Sequence, residues 1–353
     1  MVVLCCVCAA MAQEKIQMLV GTYTDDGSKG IYSCCYDLRN GEMTILDVMP
    51  VKNPSYLTIS DNGHFIYAVR ETNDEKAALI TLGFDKNTGK MTRLDSVPTG
   101  GGDPCYVSTN GKYVLTANYS GGSMTAFQLQ RKGAVAKHYQ KFMGTTGGPD
   151  LTRQDTPHVH CACFTPDGKY ILATDFSADR ILSFSIEGKD IYENGVAAKV
   201  SADSGPRHLV FSGDGRYAYL MSELSGNVTA FSYQDGKLKS LQEIVSDTVG
   251  ARGGADIHLS PDGKFLYTSN RLKSEGIAIF AVDSETGLLT RIGDVPTGAH
   301  PRQFNITPDG RYLFCCCRDS NKIQVFRRNL QTGALTDTHK DIKLSWPVCV
   351  QFY

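Results

Sequence analysis

One ten-residue pattern returns six times along this chain, and its spacing leaves few folds open. An apolar stretch meets an Asn-Gly or Asp-Gly turn, then an aromatic residue and a second apolar stretch: SDNGHFIYAV, STNGKYVLTA, TPDGKYILAT, SGDGRYAYLM, SPDGKFLYTS and TPDGRYLFCC. The turn glycines are Gly63, Gly111, Gly168, Gly215, Gly263 and Gly310, at steps of 48, 57, 47, 48 and 47 residues. Such pairs between alternating apolar runs signal hairpins, because the turn needs positive φ. A second series, Gly41, Gly89, Gly133, Gly188, Gly236, Gly287 and Gly333, falls between them and has seven members.

Each unit therefore holds two hairpins, or four strands, with no helical periodicity between them. Residues 13–353 divide into seven such units of about 49 residues, the period of a propeller blade. A β-solenoid would repeat at a shorter interval, and a single Trp in 353 residues excludes a repeat that uses one per unit. The predicted fold is all-β: one seven-bladed β-propeller domain with four antiparallel strands per blade. One unit lacks its first turn, but the C-terminal WPVCVQFY reads as the strand that precedes such a turn. It is expected to join the N-terminal strands MLVGTYT and GIYSCCYD and close the ring without a free edge.

The apolar stretch of residues 1–12 (MVVLCCVCAAMA) ends in an Ala-x-Ala-like cleavage site. It is shorter than the roughly 20 residues a membrane span requires. It reads as the remnant of a secretory signal whose start lies upstream, which places the mature chain in the periplasm or outside. A leader that is not a signal would leave the chain in the cytoplasm. Nine Cys remain beyond it, with no CxxC pair among them, so zinc-ribbon and dithiol chemistry lack support and packing is the better reading. Lys+Arg number 36 against 37 Asp+Glu, a balance that gathers neither nucleic acid nor an anionic membrane as a partner.

Polar residues converge where the hairpins end. Positions eight before and eight after each turn glycine lie on opposite arms, at the end of the blade about 23 Å from the turn. The first set is Ser55, Asp103, His160, Arg207, Ala255 and Arg302, and the second is Glu71, Tyr119, Phe176, Glu223, Arg271 and Arg318. Strand ends with only a structural role would not need so many large ionisable groups around one axis. The irregular 57-residue step adds a longer connection, roughly residues 143–157, directly before His158 and His160. Added length on a repeat maps to a loop on one face, which here could cover the site or be inert.

The strings TPHVHCACFTPDGKY, SGPRHLVFSGDGRYAYLMSEL, GADIHLSPDGKFLYTSNR and HPRQFNITPDGRYL resemble the lactonase family of seven-bladed propellers across essentially the whole mature chain. The resemblance implies metal-free, cofactor-free hydrolysis of a sugar lactone, as in the propeller-type 6-phosphogluconolactonases of carbohydrate metabolism. By motif position it implies His160, Arg207, Glu223 and Arg271 as catalytic residues. Arg302, His158, His208 and Asp256 are further candidates for substrate contact. Arg207 and Glu223 should be neighbours in one blade. Arg271 and Arg302 suit an anionic substituent, whereas His208, Asp256 and His258 equally suit hydrogen bonds between blades. Glu71, Asp103 and Arg318 could simply balance charge.

Ester hydrolysis needs an activated water, donors for the oxyanion and an acid for the leaving group. Glu223 or His160 could be the base, and the sequence leaves that open. No GxSxG elbow supports a serine route. Export would argue against a phosphorylated lactone and for another sugar lactone or anionic ring. Two alternatives remain: a non-catalytic propeller that binds an anionic sugar, and a calcium-dependent lactonase. The latter suits this Arg- and His-rich mouth poorly, because calcium takes six to eight oxygen ligands.

Overall fold

The computed structural model describes residues 14–130 and 133–353, so the leader lies outside the described residues. Seven sheets form a ring of seven blades. Blade 1 is composite. The C-terminal strand Pro347–Phe352 lies innermost, and Lys15–Thr22, Gly30–Asp37 and Glu42–Pro50 follow outwards. Met18 pairs with Phe352 and Thr22 with Pro347, so the ring closes as the sequence led us to expect. Blade 7 alone departs from four simple strands, because its third strand, Lys322–Arg328, pairs outwards with two short pieces, Leu335–Asp337 and Ile342–Lys343.

The repeated pattern has a local cause. In each Thr/Ser-x-Asp-Gly turn the hydroxyl donates to the Asp two residues on: Thr165 to Asp167 and Thr307 to Asp309 at 2.6 Å, Ser260 to Asp262 at 2.5 Å. The same Asp caps the turn's far arm, as Asp214 does by accepting the Arg216 N–H at 3.1 Å. Glycine follows because the backbone there is left-handed, φ 73° at Gly215.

Inner and second strands read as unbroken apolar runs because neighbouring blades cover both their faces. Tyr113–Asn118 is buried at every residue, whereas the outer strand Lys237–Val245 alternates. Aromatic side chains such as Phe231 and Phe280 fill the wedges between blades with no exposed surface. Truncating either to Ala should cost about 3–5 kcal/mol. The nine Cys of the described residues are all free thiols, seven of them buried, which bears out packing as their role.

The innermost strands touch their neighbours all the way round and so line the axis. In blades 3 to 7 their register against the second strand shifts near the same end. The slip leaves an extra residue: Cys105, His160, Arg207, Ala255 and Arg302 occupy it in turn. Bulges of this kind re-aim a side chain, here around the channel mouth. Blade 3 corrects one expectation. Counting back from the turn pointed to Asp103, but Cys105 takes the place equivalent to Arg207. Nine positions separate Pro104 from Tyr113 where eleven separate Pro206 from Tyr217. A deficit of two preserves strand alternation, so the pattern could not expose it. Asp103 instead accepts a hydrogen bond from Ser120 at 2.5 Å.

Candidate active site

The inner-strand bulges and the residues just after each second strand form two rings of side chains at one mouth of the channel. On the side of blades 4 to 6 they collect around Glu223, which follows the strand Tyr217–Ser222. Its Oε2 accepts from Arg207 Nε at 3.0 Å and lies 3.2 Å from Arg271 Nη2. Arg153 Nη2 donates to its Oε1 at 2.7 Å and to the Tyr119 hydroxyl at 3.1 Å. One carboxylate thus gathers three guanidiniums. Burial alone would raise its pKa, but Arg271, Arg207 and Arg153 overcome that and bring it down to about 2.

Both buried arginines are held by backbone carbonyls as well. Arg207 Nη1 donates to Ala255, and Arg271 donates to Gly253 at 3.0 Å and Gly254 at 3.1 Å. The Arg207 contact crosses from blade 5 to blade 6, and those of Arg271 fix its fork within blade 6. Burial disfavours the charge on Arg271, and Glu223 supports it.

His160, on the inner strand Val159–Phe164, stands beside this cluster. Its ring lies 5.1 Å from that of His208 and 5.5 Å from Tyr119, and its Nδ1 is 3.7 Å from the Cys105 thiol. Burial, Arg207, His208 and Arg302 hold it well below the usual imidazole range, so it is neutral at neutral pH.

His208 and Asp256 make hydrogen bonds between blades. His208 Nδ1 donates to Asp256 Oδ1 at 2.7 Å, while His258 Nε2 and the Phe304 N–H donate to Oδ2 at 2.9 and 3.3 Å. Both Asp256 oxygens are spent tying blades 5, 6 and 7 together, which is the inter-blade role the sequence also allowed. Edge-on contacts from the stacked rings of Tyr56 and Tyr106 to His208, at 5.9 and 5.2 Å, fill the space around that imidazole. His158 likewise acts as a strut. It stacks on Tyr119 at 4.1 Å and its Nδ1 donates to the Tyr119 carbonyl at 2.9 Å.

Arg302 stands in a second group, with Glu71 and Tyr23. Arg318 pairs with Asp319 at 2.5 Å, a charge-balancing contact.

Sequence reasoning missed Arg153 and Tyr23. Arg153 was within reach, as the only Arg of the lengthened 143–157 connection. Through Arg153 that connection reaches the site. Gln154 Nε2 anchors it on Asp179 at 2.9 Å, and Arg252 grips its Asp150 at 2.6 Å. Tyr23 had no signal, because blade 1 lacks the turn from which positions were counted. Among the described residues, no group of three or more His, Cys, Asp or Glu side chains is arranged to hold a metal ion.

The profile of the seven-bladed β-propeller lactonases matches residues 17–352. This chain belongs to that lactonase family. A 6-phosphogluconolactonase of Formosa agariphila is 34% identical over 350 residues, covering 95% of this chain and 99% of the relative. A solved protein from Bacteroides uniformis superposes with a TM-score of 0.94 at 56% identity, covering 97% of this chain and all of that one. The periplasmic gluconolactonase of Pseudomonas aeruginosa gives a TM-score of 0.88 at 30% identity, covering 96% and 99% of the two chains. These relatives bear out the enzyme class read from the motifs, a carboxylic ester hydrolase acting on a sugar lactone.

Proposed function

We propose that this lactonase opens the ring ester of an aldonolactone at the Glu223 cluster, with His160, Arg207, Glu223 and Arg271 carrying the reaction. The observation behind this reading is the convergence of Arg207 and Arg271 on one oxygen of Glu223 beside a neutral His160. A base must keep a free lone pair. Three guanidiniums hold the Glu223 carboxyl at about 2, which makes it a poor proton acceptor, whereas His160 is a neutral imidazole with a lone pair on one ring nitrogen. In this reading His160 accepts the proton of the attacking water. Glu223 holds Arg207 and Arg271 towards the carbonyl, and their N–H groups stabilise the tetrahedral oxyanion. The bond from the carbonyl carbon to the ring oxygen then breaks, and the imidazolium returns its proton to that oxygen.

The names of the relatives, 6-phosphogluconolactonase and gluconolactonase, support a gluconic acid lactone as substrate. We also infer that the chain is exported, on the apolar leader with its Ala-x-Ala end and on the periplasmic name of the Pseudomonas relative. The deciding experiment is a hydrolysis assay on glucono-1,5-lactone and its 6-phosphate, with and without chelator. Turnover insensitive to chelator and lost in His160→Asn is expected. A parent protein that binds a sugar acid and hydrolyses neither lactone would establish the binding-propeller alternative instead.

A further inference from the structure

Across the channel from Glu223 stands a second carboxylate with a different escort. In a ring of seven, blades 1 and 2 face blade 5, and Glu71 follows the second strand of blade 2 as Glu223 follows that of blade 5. Glu71 Oε1 accepts from the Tyr23 hydroxyl at 2.8 Å, and Oε2 accepts from Ser55. Burial is the main force that pushes the Tyr23 phenol far up, so it stays a donor. Arg302 lies over the Tyr23 ring at 5.2 Å, with Nη2 3.9 Å from Glu71 Oε1. That gap is short enough for the charges to pair and too long for a direct hydrogen bond.

We propose that Tyr23, Ser55, Glu71 and Arg302 form a polyol-binding subsite that makes this chain prefer a plain aldonolactone to its phosphate ester. A hydroxyl can accept from Arg302 and donate to Glu71 at once, and so completes the gap. A phosphate dianion only accepts, and would set its charge against Glu71. Charge is also distributed unequally around the mouth. Glu223 has three guanidiniums around it, so the excess positive charge lies where the oxyanion and the product carboxylate form. The charge of Arg302 is matched by Glu71, which leaves little attraction for an anion at that end.

The proposal rests on the lactonase reading, so its test does not require turnover. The parent protein is titrated calorimetrically with D-gluconate and with 6-phosphogluconate. Gluconate should bind more tightly by about tenfold or more, because setting like charges against each other is strongly unfavourable. Glu71→Gln keeps the shape, removes the charge and should erase that preference. Tyr23→Phe, a smaller change, should weaken gluconate a few-fold. Tighter binding of 6-phosphogluconate by the parent, or an unchanged ratio in Glu71→Gln, overturns the subsite while hydrolysis, if present, leaves the lactonase reading intact. Selective gluconate binding without hydrolysis of any lactone supports the subsite and overturns the lactonase reading.

Discussion

The two sides of the channel mouth use similar residues to opposite effect. On the blade 5 side, Glu223 is wrapped by Arg153, Arg207 and Arg271, so the group as a whole is cationic. On the blade 2 side, Glu71 meets one guanidinium at a distance and two neutral hydroxyls, so that group is balanced. The strand framework is the same on both sides. What differs is how many cations share one carboxylate, and that decides whether a patch stabilises a developing anion or reads hydroxyls.

The most drastic way to break the comparison is to remove one of its sides. A chain ending at Ser345 loses the inner strand of blade 1, which pairs with the strand directly before Tyr23. The ring should open and expose an apolar edge, with aggregation visible by light scattering. A soluble truncation of parental stability would show that closure is dispensable.

Glu223→Gln comes next. It leaves Arg153, Arg207 and Arg271 facing one another, and kcat should fall on the order of 10²–10³ as the oxyanion donors lose their positioning partner. A buried ion cluster stripped of its central partner should also lose about 3–5 kcal/mol of stability, measurable by denaturant unfolding. Glu71→Gln should lower kcat on the plain lactone far less. Equal losses at the two positions would erase the contrast between the sides.

Acid sharpens it further. His208 is drawn down from 6.5 to about 4, chiefly by burial and then by Arg207, against Asp256. The native state therefore binds fewer protons than the unfolded chain between these values, and stability declines as pH falls through that window. By pH 4 the loss from His208 alone should be on the order of 3 kcal/mol. Glu223, held at about 2 against an ordinary 4.5, adds a further loss below pH 4.5. His160 and His300, also held down chiefly by burial, add to the loss in the same window. Urea unfolding at pH 7 and pH 4 measures the sum, and His208→Asn should reduce it by the share of His208.

Around Glu223 the smallest effect is expected at Arg153, whose side chain is 37% exposed. Arg153→Met leaves Glu223 with its two buried partners, so KM should rise about tenfold with kcat nearly kept, as for one lost charge-assisted hydrogen bond. A kcat loss as large as that of Glu223→Gln would place Arg153 in the chemistry itself.

Short-range chemistry accounts for what could be read without coordinates. Asp-Gly turns, strand alternation and the regular step between glycines are local, so the blade count, the closing strand and the common mouth of His160, Arg207, Glu223 and Arg271 followed from the sequence alone. The same counting failed at Cys105, where the arm is two residues short, and at Tyr23, where no turn exists to count from. Only the closed ring decided which charges meet. Glu223 and Arg271 are 48 positions apart and Glu71 and Arg302 are 231 apart, yet each pair lies within 4 Å. Their distances depend on how seven blades close and on where bulges aim side chains. That is why three cations share Glu223 while one stands off from Glu71.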